Sequence, residues 1–98
     1  MKAMDELYKH LVNKPKKERW CAGEQLEALR FYFDEEVKIV CQYMEDSNDG
    51  ECFAILSLGH HYYLWKDSFG SCLGCDALEH EDGYEYIKDT MRNVKVIE

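Results

Sequence analysis

Val37-Lys-Ile-Val-Cys-Gln-Tyr-Met44, Cys52-Phe-Ala-Ile-Leu-Ser-Leu58 and His61-Tyr-Tyr-Leu-Trp-Lys-Asp-Ser68 are three apolar runs set close together. In the first, Val37, Ile39, Cys41 and Tyr43 share one face at the two-residue period of a strand. The second is apolar enough to be central in a sheet. The third is rich in the aromatic residues that strands favour. Asn48-Asp-Gly50 between the first two is a hairpin signal, with the glycine expected to supply a positive φ. Gly59-His60 marks a second tight turn. The runs predict an antiparallel meander over residues 36–68.

Before the meander, Met4, Leu7, Tyr8, Leu11 and Val12 recur at helical spacing, which predicts a helix over residues 4–12. Asn13-Lys-Pro15 ends it, because proline disfavours helical geometry in the residue before it. Proline then suits the first turn of a second helix, lined by Trp20, Leu26, Leu29 and Phe33, with Gly23 a candidate break. After the meander comes a glycine-containing loop. A helix is expected from Tyr84 to Arg92, with Asp82 near its start and Ile87 and Met91 on one face. Val94–Ile97 adds a short edge strand. The expected fold is α+β, with helices on one face of an antiparallel sheet. A chain of 98 residues suits one domain spanning residues 1–98. Its parts are a helical N-terminal section (1–34), the meander (36–68), and a Cys-x-x-Cys loop with the C-terminal helix (69–98).

Charge narrows the function. The formal net charge is −8. Residues 1–30 carry seven bases and five acids, a net +2, whereas residues 31–98 carry five bases and fifteen acids, a net −10. Such a surface is repelled by phosphate, so direct nucleic-acid binding and anionic membranes are disfavoured. The order helix, three strands, helix is also that of a double-stranded-RNA-binding domain. That module needs bases on its last helix; residues 76–92 here carry six acids and two bases. No apolar run is long enough to span a bilayer and no secretory leader is visible, so the expected location is the cytoplasm.

Five cysteines in a cytoplasmic chain suggest free thiols or metal ligands rather than a disulfide scaffold. Cys72-Leu-Gly-Cys75, followed by His80, has the spacing that opens a retroviral-type zinc knuckle. Two thiolates two residues apart can wrap one tetrahedral zinc. The knuckle's last cysteine would fall at position 85, where this chain has Glu85; His60, His61 or Cys52 would complete the site from the sheet instead. No organic cofactor is expected, and a structural zinc at Cys72, Cys75 and His80 is the alternative reading. As a redox pair the two thiols would be poorly activated, since surrounding acids raise a thiol's pKa. Gly70-Ser-Cys-Leu-Gly74 also fits a cysteine version of the nucleophile elbow, although elbows belong to parallel sheets in longer chains. A calcium loop starting at Glu45 fails, because its third and twelfth positions are Ser47 and Leu56.

The acids form two groups. One is Glu45, Asp46, Asp49 and Glu51; the other is Asp76, Glu79, Glu81, Asp82 and Glu85. Carboxylates on a rigid scaffold can stand where nucleic-acid phosphates would lie in a basic cleft, the logic of a DNA mimic. Tyr63 and Trp65, on the aromatic strand, are candidate anchors for such a partner, with a place in the core as the alternative.

The stretch Tyr62-Tyr-Leu-Trp-Lys-Asp-Ser-Phe-Gly-Ser-Cys-Leu-Gly-Cys-Asp-Ala-Leu-Glu79 resembles a segment of short proteins from phages and other mobile elements. The resemblance implies a setting and no chemistry: small acidic proteins of such genomes are often anti-defence factors, anti-CRISPR proteins among them. The expected function is therefore a non-enzymatic protein-binding inhibitor of a basic nucleic-acid-processing enzyme, such as a CRISPR effector. The alternatives are a zinc-stabilised interaction module and a thiol enzyme.

Overall fold

The structure, a computed structural model, describes residues 3–15, 24–45, 50–69 and 82–97. Its elements run α1 (Ala3–Lys9), α2 (Gln25–Tyr32), β1 (Lys38–Met44), β2 (Gly50–Leu58), β3 (His61–Phe69), α3 (Gly83–Thr90), a 3₁₀ turn (Met91–Asn93) and β4 (Lys95–Val96). The strands form one antiparallel sheet in the order β1-β2-β3-β4. The fold is α+β, as the hydrophobic pattern requires. Among the described residues, no helix is long and apolar enough to cross a membrane.

Alternation along β2 and β3 builds the core. Cys52, Ala54 and Leu56 of β2 pair with Asp67, Trp65 and Tyr63 of β3, and all but Asp67 are buried. Leu7 of α1, Leu26 and Leu29 of α2, and Ile87 and Met91 after them close over that face. Two polar tips tie the layers together. The Tyr63 hydroxyl donates to the carbonyl of Ala3 at 2.8 Å, and the Trp65 indole donates to Thr90 Oγ1 at 2.8 Å. Buried donors of this kind must find acceptors. Tyr63 and Trp65 are both fully buried, which corrects their expected role as surface anchors.

Gly59 and His60 form the two-residue turn between β2 and β3. Gly59 has φ 61° at the first position, the geometry of a type II′ turn, whose twist matches the strands it joins. Gly50 does not supply a positive φ, contrary to expectation. It begins β2, and its missing side chain makes room for Glu45, whose Cβ would lie 3.0 Å from an added Cβ. In β1, a bulge lies between Ile39 and Cys41. Ile39 stays on the helix-facing side, while Cys41 and Tyr43 turn to the other face, so the four residues expected on one face are split.

Helix α1 is shorter than its apolar spacing predicts. Leu11 leaves the helix to bridge Phe33, and the Val12 amide donates to the Tyr32 carbonyl at 2.7 Å. Pro15 lies outside any helix; the rest of the expected helix start, with Trp20 and Gly23, falls on residues 16–23, outside the described residues. Asp82 caps α3 by accepting from the amides of Tyr84 and Glu85. The next residue, Gly83, lies under the Tyr32 ring: a Cβ there would overlap the Tyr32 hydroxyl and come within 2.9 Å of Cε2. That hydroxyl has no hydrogen-bond partner among the described residues. Gly83→Ala should therefore cost about 1–3 kcal/mol through overpacking. Tyr32→Phe in the same chain should restore part of the loss in urea unfolding, and equal stability of Gly83→Ala and the parent would refute the contact.

Candidate functional site

Among the described residues, the helices cover one face of the sheet and leave the other open. On the open face β1 presents Cys41 and Tyr43, β2 presents Glu51, Phe53 and Ile55, and β3 presents Tyr62, Leu64 and Lys66. Tyr43 is 57% exposed and Tyr62 40%. The Tyr43 and Phe53 rings lie 6.1 Å apart, within reach of a cross-strand pair. A shallow hollow of about 150 Å³ runs between Cys41, Tyr43, Phe53, Ile55 and Leu64. Contiguous exposed apolar surface of this kind marks an interaction site more often than scattered single residues do.

The described members of the two expected acidic groups lie on different sides. Glu45 and Glu51 meet where β1 and β2 join: the Glu51 amide donates to Glu45 Oε1 at 3.1 Å, and the Glu45 amide donates to the Glu51 carbonyl at 3.1 Å. Glu51 stands on the open face, two residues before Phe53. Asp82 and Glu85 belong to α3, on the helical side. The Asp82 carboxylate is engaged in the helix cap, so its loss would damage the fold as well as any contact. Asp46, Asp49, Asp76, Glu79 and Glu81 lie outside the described residues.

Cys72, Cys75 and His80 also lie outside the described residues. The proposed helpers do not converge. Cys52 pairs with Asp67 near one end of the β2–β3 hairpin, and His60 and His61 lie at its other end. Leu58 lies six steps along the strand from Cys52, about 20 Å. One site cannot take ligands from both ends. Among the described residues, no three of His, Cys, Asp and Glu are grouped to hold a metal. The sheet is antiparallel throughout, so the parallel context of a nucleophile elbow is not present.

The inward face carries a polar cluster that the sequence did not announce. The Tyr86 hydroxyl donates to Asp67 Oδ2, and Gln25 Nε2 donates to the Ser68 carbonyl at 3.1 Å. Burial raises the Tyr86 phenol, and the Asp67 carboxylate raises it further. Burial, with the charge of Asp67, pushes the Cys52 thiol up to about 12. A thiol so hard to ionise is a core residue and a poor nucleophile. No protein-family model, curated protein or solved structure matches this chain.

Two measurements follow from this geometry. Thiol alkylation of the folded protein, mapped by peptide mass, should label exposed Cys41 and spare buried Cys52 until urea unfolds the chain; fast labelling of Cys52 would contradict its burial. The Asp67 carboxyl is raised above 3.8 by burial, with the Tyr86 and Ser68 hydrogen bonds opposing the shift. A raised folded pKa favours folding fully below the unfolded value, and that contribution is lost as pH rises through the folded one. Asp67→Asn should therefore gain stability relative to the parent as pH rises above about 4. A stability difference that is constant with pH would refute the shift.

Proposed function

We propose that this chain is a non-enzymatic binding protein that docks on a basic protein surface through its open sheet face and the acidic end of the β1–β2 hairpin. The observation that supports this most is the exposure of Tyr43 and Tyr62 on an apolar face that ends at Glu51. Tyrosines in such positions supply large contact area with little flexibility to lose, and they are frequent hot spots.

Charge selects the occupant. The chain from residue 31 onward has ten more acids than bases. A second copy brings the same negative charge to the contact, and nucleic acid or an anionic membrane is repelled. A basic cleft is the complement. The partner class we favour is a nucleic-acid-processing enzyme, such as a CRISPR effector, blocked when Glu45, Asp46, Asp49 and Glu51 occupy the place of phosphates. Electrostatic steering then speeds association and makes it salt-sensitive.

The test is capture from nuclease-treated bacterial lysate at low and high salt, followed by reconstitution with the purified partner. The expected partner is near-stoichiometric, released by salt, and loses nucleic-acid-processing activity as the complex forms. Tyr43→Ala with Tyr62→Ala, and separately Glu45→Lys with Glu51→Lys, should each weaken the purified complex about tenfold or more. Full affinity in both double variants overturns the docking face. A partner without a basic cleft overturns the inhibitor reading.

A further inference from the structure

We propose that the free edge of β3 from Lys66 to Ser68 takes an extended segment of a partner protein, added antiparallel to β3 and in line with β4. The inference rests on the reading of this chain as a protein-binding protein and names how the partner engages it. β3 runs nine residues, His61–Phe69, whereas β4 pairs only with Tyr63 and Leu64. The Ile97 amide donates to the Tyr62 carbonyl at 2.9 Å, and Gln25 Nε2 donates to the Ser68 carbonyl at 3.1 Å. Both bonds place the backbone groups of the even-numbered residues of β3 on the side away from β2, as strand alternation requires. The Lys66 amide and carbonyl and the Ser68 amide therefore point out from this edge. None of the three has a hydrogen-bond partner among the described residues.

A row of unpaired strand groups is matched by another extended backbone. The Gln25 amide is a peptide-like group already bonded at the end of this row. Lys66 and Ser68 are both exposed, and a notch of about 460 Å³ lies beside them, lined also by Glu51, Asn93, Val94 and Lys95. The notch closes at Val94, because the next residue, Lys95, already pairs with Leu64. An added segment therefore ends at Val94 or turns away there.

Charge sets the sequence of the segment, since the notch is acidic at one end and basic at the other. Glu51 faces Ser68 across the β2–β3 ladder, and Lys95 faces Leu64 across the β3–β4 ladder. Glu51, Lys66 and Lys95 share the open side of the sheet. A base on the added residue opposite Ser68 reaches over that small side chain to Glu51. An acid two residues later, opposite Lys66, stands between Lys66 and Lys95. The other charges of the notch are engaged: Arg92 pairs with Asp89 at 3.3 Å, and Asp67 accepts from the Tyr86 hydroxyl on the helix side. The complementary segment, read from its N-terminus, is a basic residue, any residue, then an acidic one.

The experiment follows the full chain by backbone NMR. In the free chain the Lys66 and Ser68 amides should exchange with deuterium faster than those of Tyr63 and Trp65, which face β2. The chain is then titrated with acetyl-Thr-Arg-Thr-Glu-amide, with its isomer acetyl-Thr-Glu-Thr-Arg-amide, and with the first peptide N-methylated at glutamate. The first peptide should bind saturably and shift Lys66 and Ser68. N-methylation removes the donor to the Lys66 carbonyl and should weaken binding about fivefold or more. The isomer should bind about threefold more weakly, and Glu51→Gln, at an exposed side chain, should narrow that difference. Tyr43→Ala with Tyr62→Ala should leave peptide binding unaffected, so failure of this contact and failure of the open-face docking are read separately. The proposal is overturned by slow exchange at the free edge, by absence of saturable binding, by equal binding of the N-methylated peptide or of the isomer, or by shifts confined to Tyr43, Ile55 and Leu64 on the open face.

Discussion

The Trp65 indole faces Thr90 across the core, and its N–H donates to the threonine hydroxyl, which in turn donates to the Ile87 carbonyl at 2.6 Å. This chain joins the centre of the sheet to the last turn of α3 through groups that have no access to water. A buried donor left unmade costs more than the bond contributes when made. The register of β2 against β3 is therefore held from both sides, by the ladder and by the helix. A slip of one residue would send Trp65 and Tyr63 to solvent and bring Tyr62 and Leu64 into the core. The Tyr63 hydroxyl adds a second tie, to Ala3. The two inward aromatic residues of β3 thus position both the first and the last helix.

That arrangement has a cost, which the open face carries. Among the described residues, the helices gather on one side of the four-stranded sheet and leave the other side uncovered. In a half-exposed antiparallel sheet the outer positions are normally polar. Here the outer positions include Tyr43, Phe53, Ile55, Tyr62 and Leu64, with Glu51 and Lys66 at the margins. Packing within the described residues leaves Tyr43 and Tyr62 exposed on that face. At a net charge of −8, copies of the chain repel one another.

Much of the fold was legible because strands and helices leave periodic traces. The meander, the Gly59 turn, the Asp82 cap and the inward face of α3 all follow from spacing and from a few residues with strong local preferences. The departures have physical causes that spacing does not record. Leu11 and Val12 fit a helical stripe equally well, but the partners they meet, Phe33 and Tyr32, come from a distant part of the chain. The β1 bulge inserts Val40 without a glycine or proline to announce it, and so splits Ile39 from Cys41 and Tyr43. Alternation along β3 separates Tyr63 and Trp65 from Tyr62 and Leu64, but it does not say which set faces inward. That depends on where the helices lie. The Asp67–Tyr86 pair was invisible for the same reason, since nothing local links a strand end to a helix nineteen residues later.

The uneven charge of the sequence becomes an uneven surface once the chain is folded. Lys14 and Arg30 come from the basic first third, and the fold brings them to Lys38 at the α2–β1 groove. Glu45 and Glu51 come from the acidic remainder and sit where β1 and β2 meet, at the end of the open face. Both regions border β1, the groove at its start and the acidic margin beyond its end. The bulge lies between them and reverses which side of the strand faces the helices.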